Sequence, residues 1–186
     1  MLFEPTSIPE VILITPKVFG DERGFFMETY QAQRFGAAGL PFIYVQDNHS
    51  GSQHGTLRGL HYQVRQPQGK VIRVLVGEIY DVAVDLRRWS PTFCQWVGIE
   101  LSAKNKLQIW VPPGFGHGFY VQSDWAEVAY KATDYYAPEW ERTLLWNDPT
   151  LNIAWPIPAG EEPVLSHKDR QGMLLSEAEV YEQEIK

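Results

Sequence analysis

Arg58, His61 and Lys70 fall close together, in Leu57-Arg58-Gly59-Leu60-His61-Tyr62-Gln63 and at the head of the strand-like run that follows. Histidine has an ordinary pKa nearest to neutrality, which suits proton transfer. The planar fork of arginine matches phosphate or carboxylate oxygens. A lysine ammonium can stabilise a developing oxyanion. The three residue types together describe a site that binds an anion and moves a proton. Each also has an ordinary structural role, as a hydrogen-bonded strand histidine or a solvated strand cation, so the reading depends on what else the chain supplies.

A histidine base needs a carboxylate that orients it and stabilises the imidazolium. Asp81, Asp85, Asp134 and Asp169 are the candidates. Asp81 and Asp85 alternate with Val and Ala, and Asp169, in Leu165-Ser166-His167-Lys168-Asp169, could fold back over a barrel mouth. Spacing leaves that choice open. Tyr62, Tyr80, Tyr120 and Tyr130 lie on strand-like runs and are possible neutral acids. A second histidine, His117, follows the glycine-rich turn Pro112-Pro113-Gly114-Phe115-Gly116 and leads into another strand.

The elements that must position these residues read mostly as β. Val11–Thr15 is a strand between prolines, Phe19–Gly24 a turn and Phe25–Tyr30 extended. Gln31–Gly39 reads as a short helix ended by glycine and Pro41. Phe42–Asn48 is strand-like and Ser50–Thr56 a loop. Then come Leu57–Gln63, a hairpin of Val71–Val76 and Glu78–Leu86 about Gly77, and strands at Gln95–Leu101, Leu107–Val111, Gly118–Gln122 and Glu127–Thr133. Many short strands at this spacing predict a β-sandwich or barrel. Residues 137–186 form an irregular, proline-interrupted segment expected to pack through Trp140, Trp146 and Trp155. Ser176-Glu177-Ala178-Glu179 has a helix-start pattern, which predicts a short helix over Ser176–Lys186.

At 186 residues and 44% hydrophobic content, the chain suits a single domain, 1–186, with a sizeable core. Its formal net charge of −7, without a basic block, argues against a nucleic-acid partner. A locally positive pocket for an anionic small molecule is compatible with that balance. The one cysteine, Cys94, fits a reducing cytoplasm. Neither a signal peptide nor a membrane-spanning run is read, so no membrane partner is expected.

Gly55–His61 and Pro112–His117 resemble the two histidine motifs of the cupin superfamily. Gln63 stands where the first motif has its second histidine, and Gln68 or a neighbour where it has a glutamate. Two of four usual ligands are then amides, which argues against a metal site and frees the histidines to act as bases. Further runs occur in one family's order: Phe19-x-Asp21-x-Arg23-Gly24-x-Phe26-x-Glu28, Gln46-Asp47-Asn48, Leu57–Gln63, Lys70-Val71, Pro112-x-Gly114-x-Gly116-His117-Gly118-Phe119, Tyr130-Lys131-x-Thr133-Asp134-x-Tyr136-x-Pro138-x-x-Glu141, Trp146-Asn147-Asp148-Pro149 and Leu165-Ser166-x-Lys168-Asp169. This chain resembles the dTDP-4-dehydrorhamnose 3,5-epimerase family over roughly residues 3–178.

That resemblance implies a cupin-type jelly-roll β-barrel or sandwich with short peripheral helices. It implies epimerisation of dTDP-4-keto-6-deoxyglucose at C3 and C5 through an enolate, without cofactor or metal, in a pathway that supplies dTDP-rhamnose for surface polysaccharide. It assigns His61 as base, Asp169 as its partner, Tyr130 as acid on the opposite face and Lys70 beside the C4 oxygen. His117 would help place the sugar or the lysine, and Arg58 and Arg23 suit the diphosphate. Glu28 suits the thymine imide, Gln46 and Asn48 the phosphate or sugar oxygens, and Phe26 and Tyr136 the face of the base; Lys168 is a further substrate contact. It also implies a homodimer in which residues 1–50 dimerise and complete the neighbouring pocket. The alternatives are an epimerase acting at C3 only or C5 only, and a metal-dependent cupin oxygenase. Strict strand alternation puts Arg58 and His61 on opposite faces, so a bulge or twist is expected at Gly59.

Overall fold

Strand-forming residues recur along the chain, and in the computed structural model, which describes residues 1–184, they build two facing antiparallel sheets whose central strands are buried on both faces. The elements are β1 (Leu2–Pro5), β2 (Ile12–Thr15), β3 (Val18–Asp21), β4 (Gly24–Met27), α1 (Ala32–Ala37), β5 (Gln46–Gln53), β6 (Leu57–Gln63), β7 (Lys70–Val76), β8 (Glu78–Asp85), β9 (Trp96–Ser102), β10 (Gln108–Val111), β11 (Phe115–Val121), β12 (Trp125–Ala132), β13 (Glu141–Thr143) and α2 (His167–Arg170). One sheet runs β1-β2-β10-β7-β12-β5, the other β13-β6-β11-β8-β9, and β3-β4 form a separate hairpin. The architecture is the mainly β, cupin-type fold expected.

Three apolar layers hold the sheets. Ile72, Val74, Ile109, Val111, Ala126 and Val128 from the first sheet meet Ile79, Ala83, Val97, Leu101, Phe115, Phe119 and Val121 from the second. The outer face of the second sheet, with Leu60, Tyr62, Val82 and Val84, is covered by Leu144, Leu151, Leu175, Val180 and Tyr181 of the C-terminal segment. The outer face of the first, with Ile14, Val71 and Trp110, is covered by Phe35 and Leu40 in and after α1. Each fully buried aliphatic side chain contributes about 1.5–3 kcal/mol from its removal from water. Of the three tryptophans expected to anchor the C-terminal segment, Trp155 packs on Tyr80 and donates to the Trp146 carbonyl. Trp140 instead lies under the Arg65 guanidinium.

Four local expectations need correction. β7 and β8 are not a hairpin: β7 pairs with β10 and β12, β8 with β9 and β11, so the chain crosses between sheets at Gly77. A side chain at Gly77 (φ +77) would overlap the Trp125 carbonyl, which is why this corner takes glycine. Ser50–Gln53 continue strand β5, pairing with β12 through Trp125↔Gln53, whereas Phe42–Val45 are not in a strand. Residues 176–184 hold turns and a bridge from Tyr181 to Arg87 instead of helix, and Ile185 and Lys186 lie outside the described residues. Among the described residues, the C-terminal segment holds one α-helical turn, α2, and a 3-10 turn at Pro138–Trp140 just before β13. The helix α1, within the expected 31–39, is capped by the Gln31 side chain accepting from the Arg34 N–H.

Candidate active site

Antiparallel register brings the two motif histidines side by side, with His61 of β6 opposite His117 of β11. Three residue steps on β6, from His61 to Arg58, match only two on β11, from His117 to Phe119. The extra residue is a bulge, and it turns Arg58 to the same face as His61. Gly59 makes this possible. Its φ is +125, and a Cβ there would lie 2.5 Å from the Gly118 Cα. The Gly59–Leu60 peptide is cis.

Arg58 and His61 share a cavity of about 340 Å³ with Gln46, Asn48, Ser50, Gln68, Lys70, His117, Phe119, Tyr130, Tyr136, Glu141 and Lys168. The two sheets contribute opposite walls. His61 and His117 belong to the five-stranded sheet, and Lys70 and Tyr130 to the six-stranded one.

Of the four candidate carboxylates, Asp169 reaches His61: its Oδ1 lies 2.6 Å from His61 Nε2. The same oxygen accepts the Gly59 N–H at 3.3 Å, and Oδ2 accepts the Ser166 hydroxyl at 2.6 Å. Burial works against the Asp169 charge, but the hydrogen bonds from His61, Ser166 and Gly59 hold its carboxyl below the usual range. Burial lowers the His61 pKa, opposed by Asp169, so the imidazole is neutral at pH 7. With its proton on Nε2 toward Asp169, the lone pair sits on Nδ1.

Asp81 instead serves His117, whose Nε2 lies 2.9 and 3.0 Å from its two oxygens. Asp85 caps a loop through Arg87, Ser90 and Thr92, and Asp134 accepts the Tyr135 N–H. Both histidines thus direct Nε2 at a carboxylate. Among the described residues, no group of three or more His, Cys, Asp or Glu is placed to hold a metal ion.

On the facing sheet, Lys70 and Tyr130 are diagonal neighbours, since Tyr130 pairs with Ile72 and Ala132 with Lys70. Lys70 Nζ lies 5.8 Å from the centre of the Tyr130 ring. Burial pushes the Lys70 ammonium down to about 8, against the attraction of Glu141 and Asp81. Burial raises the Tyr130 phenol, and Glu141 adds to that rise, so its hydroxyl stays protonated. The other candidate tyrosines are structural: Tyr62 donates to the Glu179 carbonyl, Tyr80 packs on Trp155, and Tyr120 is fully buried.

At the rim, Gln46 Oε1 accepts the Tyr136 N–H at 2.9 Å and Gln46 Nε2 donates to Asn48 at 3.0 Å. Arg58 Nε donates to Ser52 at 2.9 Å. Glu141 accepts from the Tyr136 hydroxyl at 3.0 Å and from Lys168 Nζ at 2.8 Å. Sequence reasoning places Glu141 within a motif and gives it no role; its signal is the fixed spacing to Tyr136. Three expected contacts are elsewhere. Arg23 and Phe26 are on the exposed β3-β4 hairpin, and Glu28, just beyond it, lies 3.2 Å from Arg34.

The family model described as dTDP-4-dehydrorhamnose 3,5-epimerase matches residues 5–177. A dTDP-4-dehydrorhamnose 3,5-epimerase from Pseudomonas aeruginosa is 58% identical over 176 residues, covering 94% of this chain and 96% of that protein. The one from Salmonella typhimurium is 52% identical over 180 residues, covering 96% and 97%. Among solved structures, a dTDP-6-deoxy-D-glucose-3,5-epimerase from Legionella pneumophila, crystallised with dTDP-4-keto-L-rhamnose, superposes with a TM-score of 0.94 at 50% identity, covering 99% of both chains.

Proposed function

The chain belongs to the dTDP-4-dehydrorhamnose 3,5-epimerase family, and on that premise we propose that it inverts C3 and C5 of a dTDP-linked 4-keto-6-deoxyhexose by removing and returning protons across one pocket. The observation that carries this reading is the His61–Asp169 pair on one wall with Tyr130 and Lys70 on the other.

Both carbons lie α to the C4 ketone. His61 Nδ1 takes the proton from carbon, and the electron pair of the broken C–H bond moves into an enolate whose charge rests on the C4 oxygen. Lys70 stabilises that oxygen by charge. A single donor of this kind is worth roughly 3–4 kcal/mol of barrier in comparable oxyanion sites. Tyr130 then delivers its hydroxyl proton to the same carbon from the other wall, which inverts the centre. Asp169 keeps the imidazole in the productive tautomer and stabilises it once charged.

Arg58 and Lys168 supply positive charge for the diphosphate, and His117, held by Asp81, lines the sugar end. Gln46 and Asn48 present amide groups to phosphate or sugar oxygens, and Tyr136 its ring to the base. Arg23, Phe26 and Glu28 act in the pocket of a second copy. Val18, Phe19, Phe25 and Phe26 of the hairpin are all exposed, an apolar surface suited to a homodimer contact. A cytoplasmic setting fits the free thiol of Cys94.

The test is incubation with dTDP-4-keto-6-deoxyglucose in deuterated water, with the product read by NMR. Deuterium at both C3 and C5 is expected. Incorporation at one centre overturns the double inversion, and none at either overturns the enzymatic reading.

A further inference from the structure

The helix that delivers Asp169 is a single turn, His167–Arg170. So short a helix does not hold itself in water, and its place depends on tertiary contacts. Ser166 caps it through the Asp169 N–H at 3.1 Å, and Asp169 ties it to Gly59 and His61. One further side-chain tie reaches α2 from the sheet. Lys168 Nζ donates to Glu141 Oε1 at 2.8 Å, while Oε2 of the same carboxylate accepts the Tyr136 hydroxyl at 3.0 Å.

The register explains why Glu141 can do this. On the β13–β6 pair, Glu141 lies opposite Gln63 and Thr143 opposite His61. Glu141 is therefore the diagonal neighbour of His61 on one face of the sheet. Among the described residues it is the one carboxylate lining the cavity, beside His61, His117, Arg58, Lys70 and Lys168. A carboxylate facing a diphosphate pocket works against substrate charge, so its presence calls for a role of its own.

We propose that Glu141 is a positioning residue: it bridges Tyr136 on one side of the pocket to Lys168 on the other, and so holds α2, Asp169 and His61 in line with the facing wall.

Its charge acts alongside its geometry. The groups around it are His61 on β6, Lys70 on β7, Tyr130 on β12, Tyr136 in the following loop and Lys168 on α2; Asp81 on β8 also acts on Lys70. Glu141 raises His61, Lys70, Tyr130 and Tyr136 alike, and Lys168 lowers His61 and Lys70. The negative charge thus favours a charged lysine and a neutral tyrosine together, the states that enolate stabilisation and proton donation require.

This inference rests on the epimerase reading. Deuterium exchange by the unaltered protein tests that reading, and the variants below are measured against it. Glu141→Gln keeps the size and removes the charge. It is expected to lower kcat by ~10- to 100-fold, the cost of a small misalignment of reacting groups, and to change KM far less, since the lost repulsion of substrate charge offsets the freeing of Tyr136 and Lys168. Both limbs of its pH profile should move to lower pH. Lys168→Met removes the opposite charge and should move both limbs to higher pH. NMR titration of the His61 imidazole follows the same directions without substrate, which separates this inference from the reading it rests on. A Glu141→Gln protein that melts like the parent, keeps its kcat and shows unmoved limbs and an unmoved His61 titration overturns the proposal. If Glu141→Gln melts early, the His61 titration in Lys168→Met decides: an upward move supports the charge bridge, and none overturns it.

Discussion

One oxygen of Asp169 binds both His61 Nε2, at 2.6 Å, and the Gly59 N–H, at 3.3 Å. A residue of the C-terminal segment therefore fixes the His61 imidazole and the bulge that aims it. Asp169→Asn tests the first duty. The amide oxygen can still accept from the Gly59 N–H and from Nε2, but the carboxylate charge that stabilises the imidazolium is lost. Solvent exchange into the substrate should fall on the order of 10³-fold, and His61→Ala should fall ~10²- to 10⁴-fold. Near-parent exchange in either variant would remove His61 from the base role.

Tyr130→Phe separates abstraction from inversion. The ring remains to pack against Lys70, and only the proton donor is lost. Deuterium should still enter the substrate from the His61 side, with retention at carbon, while formation of the inverted product falls ~10²- to 10⁴-fold. If inverted product forms at the parent rate, the acid is another group.

Lys70 sets the basic limb. Its pKa, pushed down to about 8 by burial, means that the ammonium is present below that pH and lost as pH rises through it. The Tyr130 phenol is raised and stays protonated in that range. Activity of the free enzyme, read as kcat/KM, should therefore decline above about pH 8. On the acid side, the lowered His61 pKa keeps the base neutral below the ordinary histidine range, so activity should persist there. Lys70→Met should lose ~10²- to 10³-fold in kcat. Lys70→Arg, permanently charged, should lose the basic limb whatever rate it retains; an unchanged limb would assign it elsewhere.

Gly59→Ala tests the bulge. A methyl group would meet Gly118 Cα at 2.5 Å, a backbone atom that cannot swing aside, on a residue at φ +125. The strain costs at least ~1–3 kcal/mol, which for a chain of this size lowers Tm by several degrees, roughly 2–4 °C per kcal/mol. Calorimetry reads the loss directly. Activity should fall further than the folded fraction does, because Arg58 and His61 share a face only through this bulge.

Much of this arrangement was legible in the chain. Leu57–Gln63 is strand β6 with the expected limits, and the conflict between alternation and a shared pocket for Arg58 and His61 anticipated the bulge at Gly59. What was not legible depends on non-local pairing. A strand, a glycine and another strand look alike in a hairpin and at a corner between sheets, and which faces are buried makes Gly77 a corner. The helix-start pattern at Ser176 is followed by apolar residues at helical spacing, Ala178, Tyr181 and Ile185, yet the described part of the segment lies flat with the adjacent Val180 and Tyr181 both buried on the sheet, so tertiary packing overrides the local pattern. Glu141 sits 80 positions from His61, and only the β13–β6 register makes them neighbours. The choice of Asp169 over Asp81 rests on the fold-back of the C-terminal segment, which spacing leaves open.

Arg23 is the sequence-expected contact whose position asks for a second subunit. Its side chain is 85% exposed, and among the described residues it pairs only with Asp21, two residues away on its own hairpin. If the hairpin serves a neighbouring pocket, Arg23 of one copy works with His61 of another. Arg23→Ala alone should then weaken substrate binding, and His61→Ala alone should abolish exchange. Mixing the two after subunit exchange creates hybrid dimers in which one pocket holds an intact Arg23 and an intact His61. Activity should recover to about a quarter of the parent level, since half of the dimers are hybrids with one good pocket each. Were Arg23 to act within its own chain, no pocket in the mixture would hold both residues and nothing would recover. Light scattering at assay concentration gives the independent check: a monomeric mass there would rule out a pocket completed by a partner.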